Sequence, residues 1–364
     1  MQVKSVTVRN FRNLGAQKIS LCGGLNVFTG LNAQGKTNFL ESIVLCSIGK
    51  SPRTDRDKDM INRDGDWASV KTETAVRSGV CSVEIKLSRG EKKRVAVNGM
   101  PIARIGELMG RLNVIYFSPQ EIRVIREGPD SRRRFMDIDL CQTDKNYFYT
   151  LARYNKILSQ RNNLIKTQAK NADIKEMLSV WDAQLAEEGA RLYLKRAGFA
   201  EKIFPLAADA HYALSGGKEE LGVVYQTDMA GFSKEEAKAD LIEKLSLDTE
   251  KQLRLGYTLR GPHRDDIKFT VDGVDIRKYG SQGQQRTAAL SLKLAEVSLM
   301  EEITGERPVL ILDDVFGEID AARQNRLLEY ISGTQTLVAA TEFNKTPHGE
   351  CRFFTVSGGK ITQN

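Results

Sequence analysis

No apolar run in these 364 residues approaches the roughly 18 to 20 needed to cross a bilayer. The opening MQVKSVTVRNFRN lacks the apolar centre of an export signal. The expectation is a cytoplasmic chain without a membrane partner. Cysteine is scarce: Cys22, Cys46, Cys81, Cys141 and Cys351 are scattered, odd in number and free of any C-x-x-C spacing. A disulfide framework and a zinc site are thereby disfavoured, and the thiols read as small buried apolar residues. Histidine is scarcer still, and His211, His263 and His348 are too dispersed for a metal site. Repeats and low-complexity segments are absent. What is present is the mix of a globular protein, 41% hydrophobic and 28% charged, with enough length for one large or two moderate domains. A net charge of +7 permits a polyanionic partner without requiring one.

The first third reads as strands. Ala68–Val76 alternates small or apolar residues with charged ones, as does the stretch around Val83, Ile85 and Leu87. Val95–Val97 runs into Asn98-Gly99, a tight-turn signal. Leu112–Phe117 reads as a further strand. In the middle, Tyr147, Leu151, Tyr154, Leu158 and Ile165 form a helical stripe that Arg161 interrupts. Ile174, Met177, Leu178, Trp181, Leu185 and Leu192 form a second stripe. Gly216-Gly217 breaks the helical region, and Lys234–Leu247 suggests another helix. The last third predicts a hairpin over Asp266–Ile276 and a helix from Gly283 to Glu302. It then predicts buried strands over Pro308–Leu312 and Thr336–Ala340, with a helix over Ala321–Ile331 between them.

Gly30-Leu31-Asn32-Ala33-Gln34-Gly35-Lys36-Thr37 matches G-x-x-x-x-G-K-[ST], between an apolar strand and the helical pattern that opens at Asn38. This is a phosphate-binding loop, and it implies a nucleoside triphosphate. Backbone N–H groups from Asn32 to Thr37 wrap the phosphates, with Gly30, Gly35 and Asn38 completing the cradle. Lys36 neutralises the β- and γ-phosphates, and Thr37 ligates Mg²⁺. Such a loop needs an acid on a neighbouring strand, which Val309-Leu310-Ile311-Leu312-Asp313-Asp314 supplies. Asp313 is the candidate that holds Mg²⁺, through water. Asp314 is the candidate that orients or deprotonates the attacking water.

Tyr279-Gly280-Ser281-Gln282-Gly283-Gln284-Gln285-Arg286 resembles the signature motif of ATP-binding-cassette ATPases. In that family the serine and its helix N-terminus reach the γ-phosphate held by the other subunit. Gln282 stands where glycine is usual, Asp314 where glutamate is, and Thr341 where transporters carry a histidine, which points to slow turnover. The stretch between Lys36 and Asp313 is too long for a minimal cassette and too short for coiled-coil arms. VRNFRN, GLNAQGKTN, FSPQEIRVIREGPDSRRRFMD, TLRGPHRDD, YGSQGQQR and LILDDVFGEID together resemble the RecF family of bacterial DNA replication and repair proteins, in that family's order.

The resemblance implies an α/β head of cassette type, with a mixed sheet, a β-meander and an inserted, largely helical lobe. Residues 1–118 and 286–364 form the head, and 119–285 the inserted lobe. It implies ATP and Mg²⁺, an ATP-dependent homodimer, and binding to double-stranded DNA and its junctions with single strands. It also implies partnership with RecR, and with RecO in loading RecA. Ser281, Gly283 and Gln284 carry the signature that acts across the dimer. Asp320 either crosses that interface or caps the next helix. Arg12 either approaches the phosphates or is a solvated arginine. Gln120 lies where cassette ATPases carry a glutamine that reaches Mg²⁺, although this family often has an acid there. Arg123, Arg126 and Arg132–Arg134 form either a phosphate-contacting surface or a salt-bridged helix face. Gly261–Asp266 reads as a structured turn. The competing class is a cassette ATPase driving a partner other than DNA.

Overall fold

The computed structural model describes residues 1–345 and 349–364; His348 lies outside them. The central six-stranded sheet runs Lys360–Gln363, Cys351–Ser357, Leu25–Thr29, Thr336–Ala340, Val309–Asp313, Val114–Phe117. All neighbours are parallel except the edge hairpin Cys351–Ser357/Lys360–Gln363. Val309–Asp313 and Thr336–Ala340 are buried throughout, which is why they read as unbroken apolar runs rather than alternating ones. Pairing at the far edge starts at Val114, two residues later than the apolar pattern suggests.

A second six-stranded sheet is antiparallel and includes Gln2–Arg9, Trp67–Val76, Gly79–Ser88 and Arg94–Val97. It is the expected meander, and Asn98 and Gly99 turn it with φ of 51° and 79°. Helix Lys36–Ile48 lies between the two sheets, with Phe39 through Ser47 all buried. Phe28 stacks on Phe354 at 4.7 Å and tilts against Phe39 at 4.9 Å. A helix enclosed on both sides has no solvent stripe, so Phe39–Ser47 shows no polar face, and its few polar side chains, Glu41, Ser42 and Ser47, are buried with the rest.

The other face of the central sheet carries the helices. Gln282–Thr304 packs along Ile174–Ser215, which in turn meets Lys145–Gln168 and Lys234–Leu247. A three-stranded sheet of Val274–Asp275, Asp266–Val271 and Leu221–Gln226 closes this side. The boundary drawn at residue 286 falls inside the continuous helix Gln282–Thr304. Among the described residues no helix is long and apolar enough to cross a membrane.

Candidate nucleotide site

The loop between Leu25–Thr29 and helix Lys36–Ile48 needs glycine at its entry. Gly30 has φ +147°, and a Cβ there would sit 2.3 Å from the Val356 carbonyl oxygen. Gly35 caps the helix, its carbonyl accepting from the Phe39 N–H at 3.0 Å. Lys36 Nζ donates to the Gly30 and Leu31 carbonyls at 2.5 and 2.9 Å. The lysine therefore folds over its own loop. Burial lowers its pKa, opposed by Asp314 and Asp313. Asn32 meets the Thr341 hydroxyl at 3.4 Å.

Asp313 stands at the end of its strand, and Thr37 Oγ1 donates to its Oδ1 at 2.9 Å. Its strand is not the immediate neighbour of the loop strand, as the sequence suggested: Thr336–Ala340 lies between them. The pair still meets because helix Lys36–Ile48 packs against both that intervening strand and the Asp313 strand. Tyr116 donates to Asp313 Oδ2 at 2.9 Å. Burial pushes the Asp313 carboxyl up, while the Tyr116 and Thr37 hydroxyls pull it down. Asp314 turns out to solvent in the left-handed region, φ 57°, its N–H held by the Ala339 carbonyl at 2.9 Å.

Arg12 is committed elsewhere in this structure. Its guanidinium grips buried Glu41 through two bonds, 3.0 and 2.6 Å, and donates to the Asp59 carbonyl at 2.7 Å. Ser51 and Arg53 also donate to Glu41, at 2.5 and 3.2 Å. Arg53 reaches on to Asn38 Oδ1 at 2.7 Å, and Asn38 donates to Asn13 at 2.8 Å. Glu41 and Arg53 thus brace the first helical turn, and the sequence reading overlooked both. The available signal was a carboxylate inside the apolar run Phe39–Leu45. Tyr116 was also missed, and nothing local in VIYF marks it. Gln120 is exposed on the short turn Pro119–Ile122 and borders, with Tyr116, a cleft of about 350 Å³.

Ser281 caps helix Gln282–Thr304 in a reciprocal box with Gln284: the Gln284 N–H donates to Ser281 Oγ at 3.2 Å, and the Ser281 N–H to Gln284 Oε1 at 3.0 Å. Ser281, Gln282 and Gly283 are exposed. Among the described residues no hydrogen bond joins them to the phosphate loop of the same chain. Asp320 caps helix Ala321–Tyr330 through the Ala322 and Arg323 N–H groups, both at 3.0 Å, so the capping role is present.

The arginine cluster divides. Arg132 is buried and pairs with Asp266, its second nitrogen at 3.1 Å. Arg133 turns inward to Asp265 O at 2.5 Å, whereas Arg126 stays exposed while donating to Gln285 at 2.6 Å. Arg123 and Arg134 remain exposed. The partners of this cluster explain Gly261–Asp266. Gly261 has φ +118°, and a Cβ would lie 2.8 Å from the Tyr154 hydroxyl. His263 Nδ1 and the Tyr154 hydroxyl share a hydrogen bond of 2.7 Å. Arg196 donates to Pro262 O at 2.6 Å and to buried Asp265 at 3.2 Å, and Tyr225 also bonds Asp265. Burial works against the Arg196 charge, but Tyr147 and Asp137, with Tyr225 and Asp265, hold it firmly protonated. The segment ties the long helices to the small sheet.

A phosphate loop with its carboxylate on a second parallel strand, a meander beside it and a capped signature helix define an SMC-type P-loop ATPase head. The family model described as RecF/RecN/SMC N terminal domain matches residues 2–344. The chain is 43% identical to the DNA replication and repair protein RecF of Agathobacter rectalis, covering 99% of both chains. It is 42% identical to that of Lachnoclostridium phytofermentans, over 94% of this chain and 93% of that one. The solved structure of "the recombination mediator protein RecF-ATP in RecFOR pathway" is similar at a TM-score of 0.91 and 35% identity, over 100% of this chain and 97% of that one. An Smc head bound to the C-winged helix domain of ScpA shares the fold alone, TM-score 0.59 and 14% identity over 100% and 98%. The chain belongs to the RecF family.

Proposed function

We propose that the protein is an ATP-dependent DNA-binding protein of recombinational repair and replication. Its ATP-bound dimer holds double-stranded DNA and junctions with single-stranded gaps, and works with RecR and RecO to load RecA. Slow, DNA-stimulated hydrolysis releases the dimer. The observation that carries this reading is a site in two solvent-facing halves. One is the phosphate loop, with Lys36 resting on its own carbonyls. The other is the exposed N-terminus of the Ser281 helix. Leu31 in the loop is 73% exposed and Tyr279 beside the signature 75%. A second copy of the chain covers both, and the signature helix of each copy then completes the anion site of the other.

Within that site Lys36 exchanges its carbonyl partners for phosphate oxygens. Asp314, free at the strand end, orients the attacking water and takes its proton. Thr37 and Asp313 offer a hydroxyl and a carboxylate at the loop mouth, the hard oxygen donors that suit Mg²⁺. The ion, when bound, supplies charge neutralisation at the phosphates. Size measurement with ATP and Mg²⁺ tests the reading. Wild type should dimerise, and Ser281→Arg should bind ATP yet stay monomeric. Asp314→Asn should dimerise but turn over about 100-fold or more slowly. A wild type that stays monomeric at high concentration with ATP overturns the dimer reading. Absence of salt-sensitive duplex binding by the ATP form overturns the DNA reading.

A further inference from the structure

The outer face of the antiparallel sheet carries a feature that the nucleotide site does not use. Trp67 is 47% exposed, whereas its neighbour Ala68 is buried against the core. Trp67 opposes Ser88, and one pleat further along, the register aligns Arg9, Ser69, Lys86 and Arg94 across four strands. Alternation puts this row on the Trp67 side of the sheet. Arg89 is exposed and bonds the Gly65 carbonyl at 3.0 Å, at the turn leading into Trp67.

Two shallow depressions meet here. One, of about 280 Å³, is lined by Trp67, Lys86, Glu91, Lys92 and Arg94 among others. The second, of about 680 Å³, shares Lys86, Lys92 and Arg94 and continues past Lys93 toward Pro101. Together they form a track with an aromatic shelf at one end and cations along its length. Lys86 pairs with Glu84 at 3.2 Å and Arg94 with Glu91 at 2.6 Å. Exposed pairs of this kind are weak and readily exchanged for phosphate. No ion pair holds Arg9 or Lys92 among the described residues.

An indole half open to water beside a row of exposed cations suits an unpaired strand better than a duplex. A duplex keeps its bases stacked inward, whereas a single strand offers base faces to an aromatic and phosphates to lysine and arginine. We propose that this sheet face binds an unpaired DNA strand, with a base stacked on Trp67 and the phosphates held by Lys86, Lys92 and Arg94. The proposal rests on the DNA-binding reading above and adds a separate site to it, remote in function from the phosphate loop.

The chain has two tryptophans, so Trp181→Phe leaves Trp67 as the single indole reporter. In that full-length protein, a short oligothymidylate should quench Trp67 fluorescence, and added salt should reverse the effect. Trp67→Ala should weaken oligothymidylate binding about five- to a hundredfold while ATP-dependent duplex binding is retained. Three outcomes overturn the proposal alone: duplex bound without oligothymidylate quenching, equal quenching by blunt duplex, or oligothymidylate binding unchanged in Trp67→Ala. Binding of neither DNA form removes the DNA reading itself.

Discussion

His263 is held neutral by its surroundings. Burial first, then the charges of Arg264, Arg133 and Arg161, lower its pKa from 6.5 to about 4. The unfolded chain therefore binds a proton between pH 6.5 and 4 that the fold refuses. That stability is present above the unfolded value and is lost as pH falls through the folded one, up to about 3 kcal/mol. Asp139 acts with the opposite sign. Burial raises its carboxyl above the ordinary carboxylate range, so its cost to stability sets in as pH rises from the unfolded value. A comparison of wild type with His263→Gln separates the two. In urea titrations the advantage of wild type should shrink from pH 7.5 to pH 4.5; an unchanged difference would rule out a neutral His263. At this scale the sequence was legible wherever a residue's placement depends on local backbone. Lys36, Thr37 and Asp313 fall where their motifs place them. Arg12 and Arg132 were ambiguous because Glu41 and Asp266 lie far from them along the chain.

Among the elements, helix Lys145–Gln168 is the most instructive. Its apolar stripe was readable from spacing, and Arg161 looked like an interruption of it. In the fold Arg161 is fully buried and donates to Asp182 at 2.5 Å, Gln252 at 2.7 Å and Thr258 at 2.9 Å. One guanidinium thus joins three segments where the small apolar cluster of Ile165, Ile174 and Leu178 is too slight to do so. Replacement by Met should cost about 3–5 kcal/mol, because Asp182 is left without its charge partner. Chemical denaturation of Arg161→Met checks this. Adding Asp182→Leu should restore part of the loss, and failure to do so would make the effect one of volume rather than charge. Periodicity could not reveal such a tie, since it reports which face is apolar and not which polar groups meet. The strand Leu221–Gln226 escaped for a related reason: its mixed burial leaves no clean alternation. The C-terminal hairpin did carry a turn signal, Gly358-Gly359, with φ of 55° and 81°.

For the molecule as a whole, fold class was legible because the motifs that carry it are contiguous strings. Strand order was not, because no local string says which strand lies between two others. That order has a consequence for how the protein comes into being. The loop strand Leu25–Thr29 is made first but pairs with Thr336–Ala340 and Cys351–Ser357, and Thr37 finds Asp313 across a separation of 276 residues. Long-range pairing of this kind forms late and slowly. During synthesis the meander has its own partners at once, while the phosphate loop waits for nearly the entire chain. Nascent chains held on the ribosome should therefore gain ATP-dependent protease resistance only after Ser357 has emerged. Resistance appearing before Val309 is made would contradict this. A ribosome that stalls partway leaves a polypeptide with a complete phosphate-loop motif and no capacity to hold nucleotide.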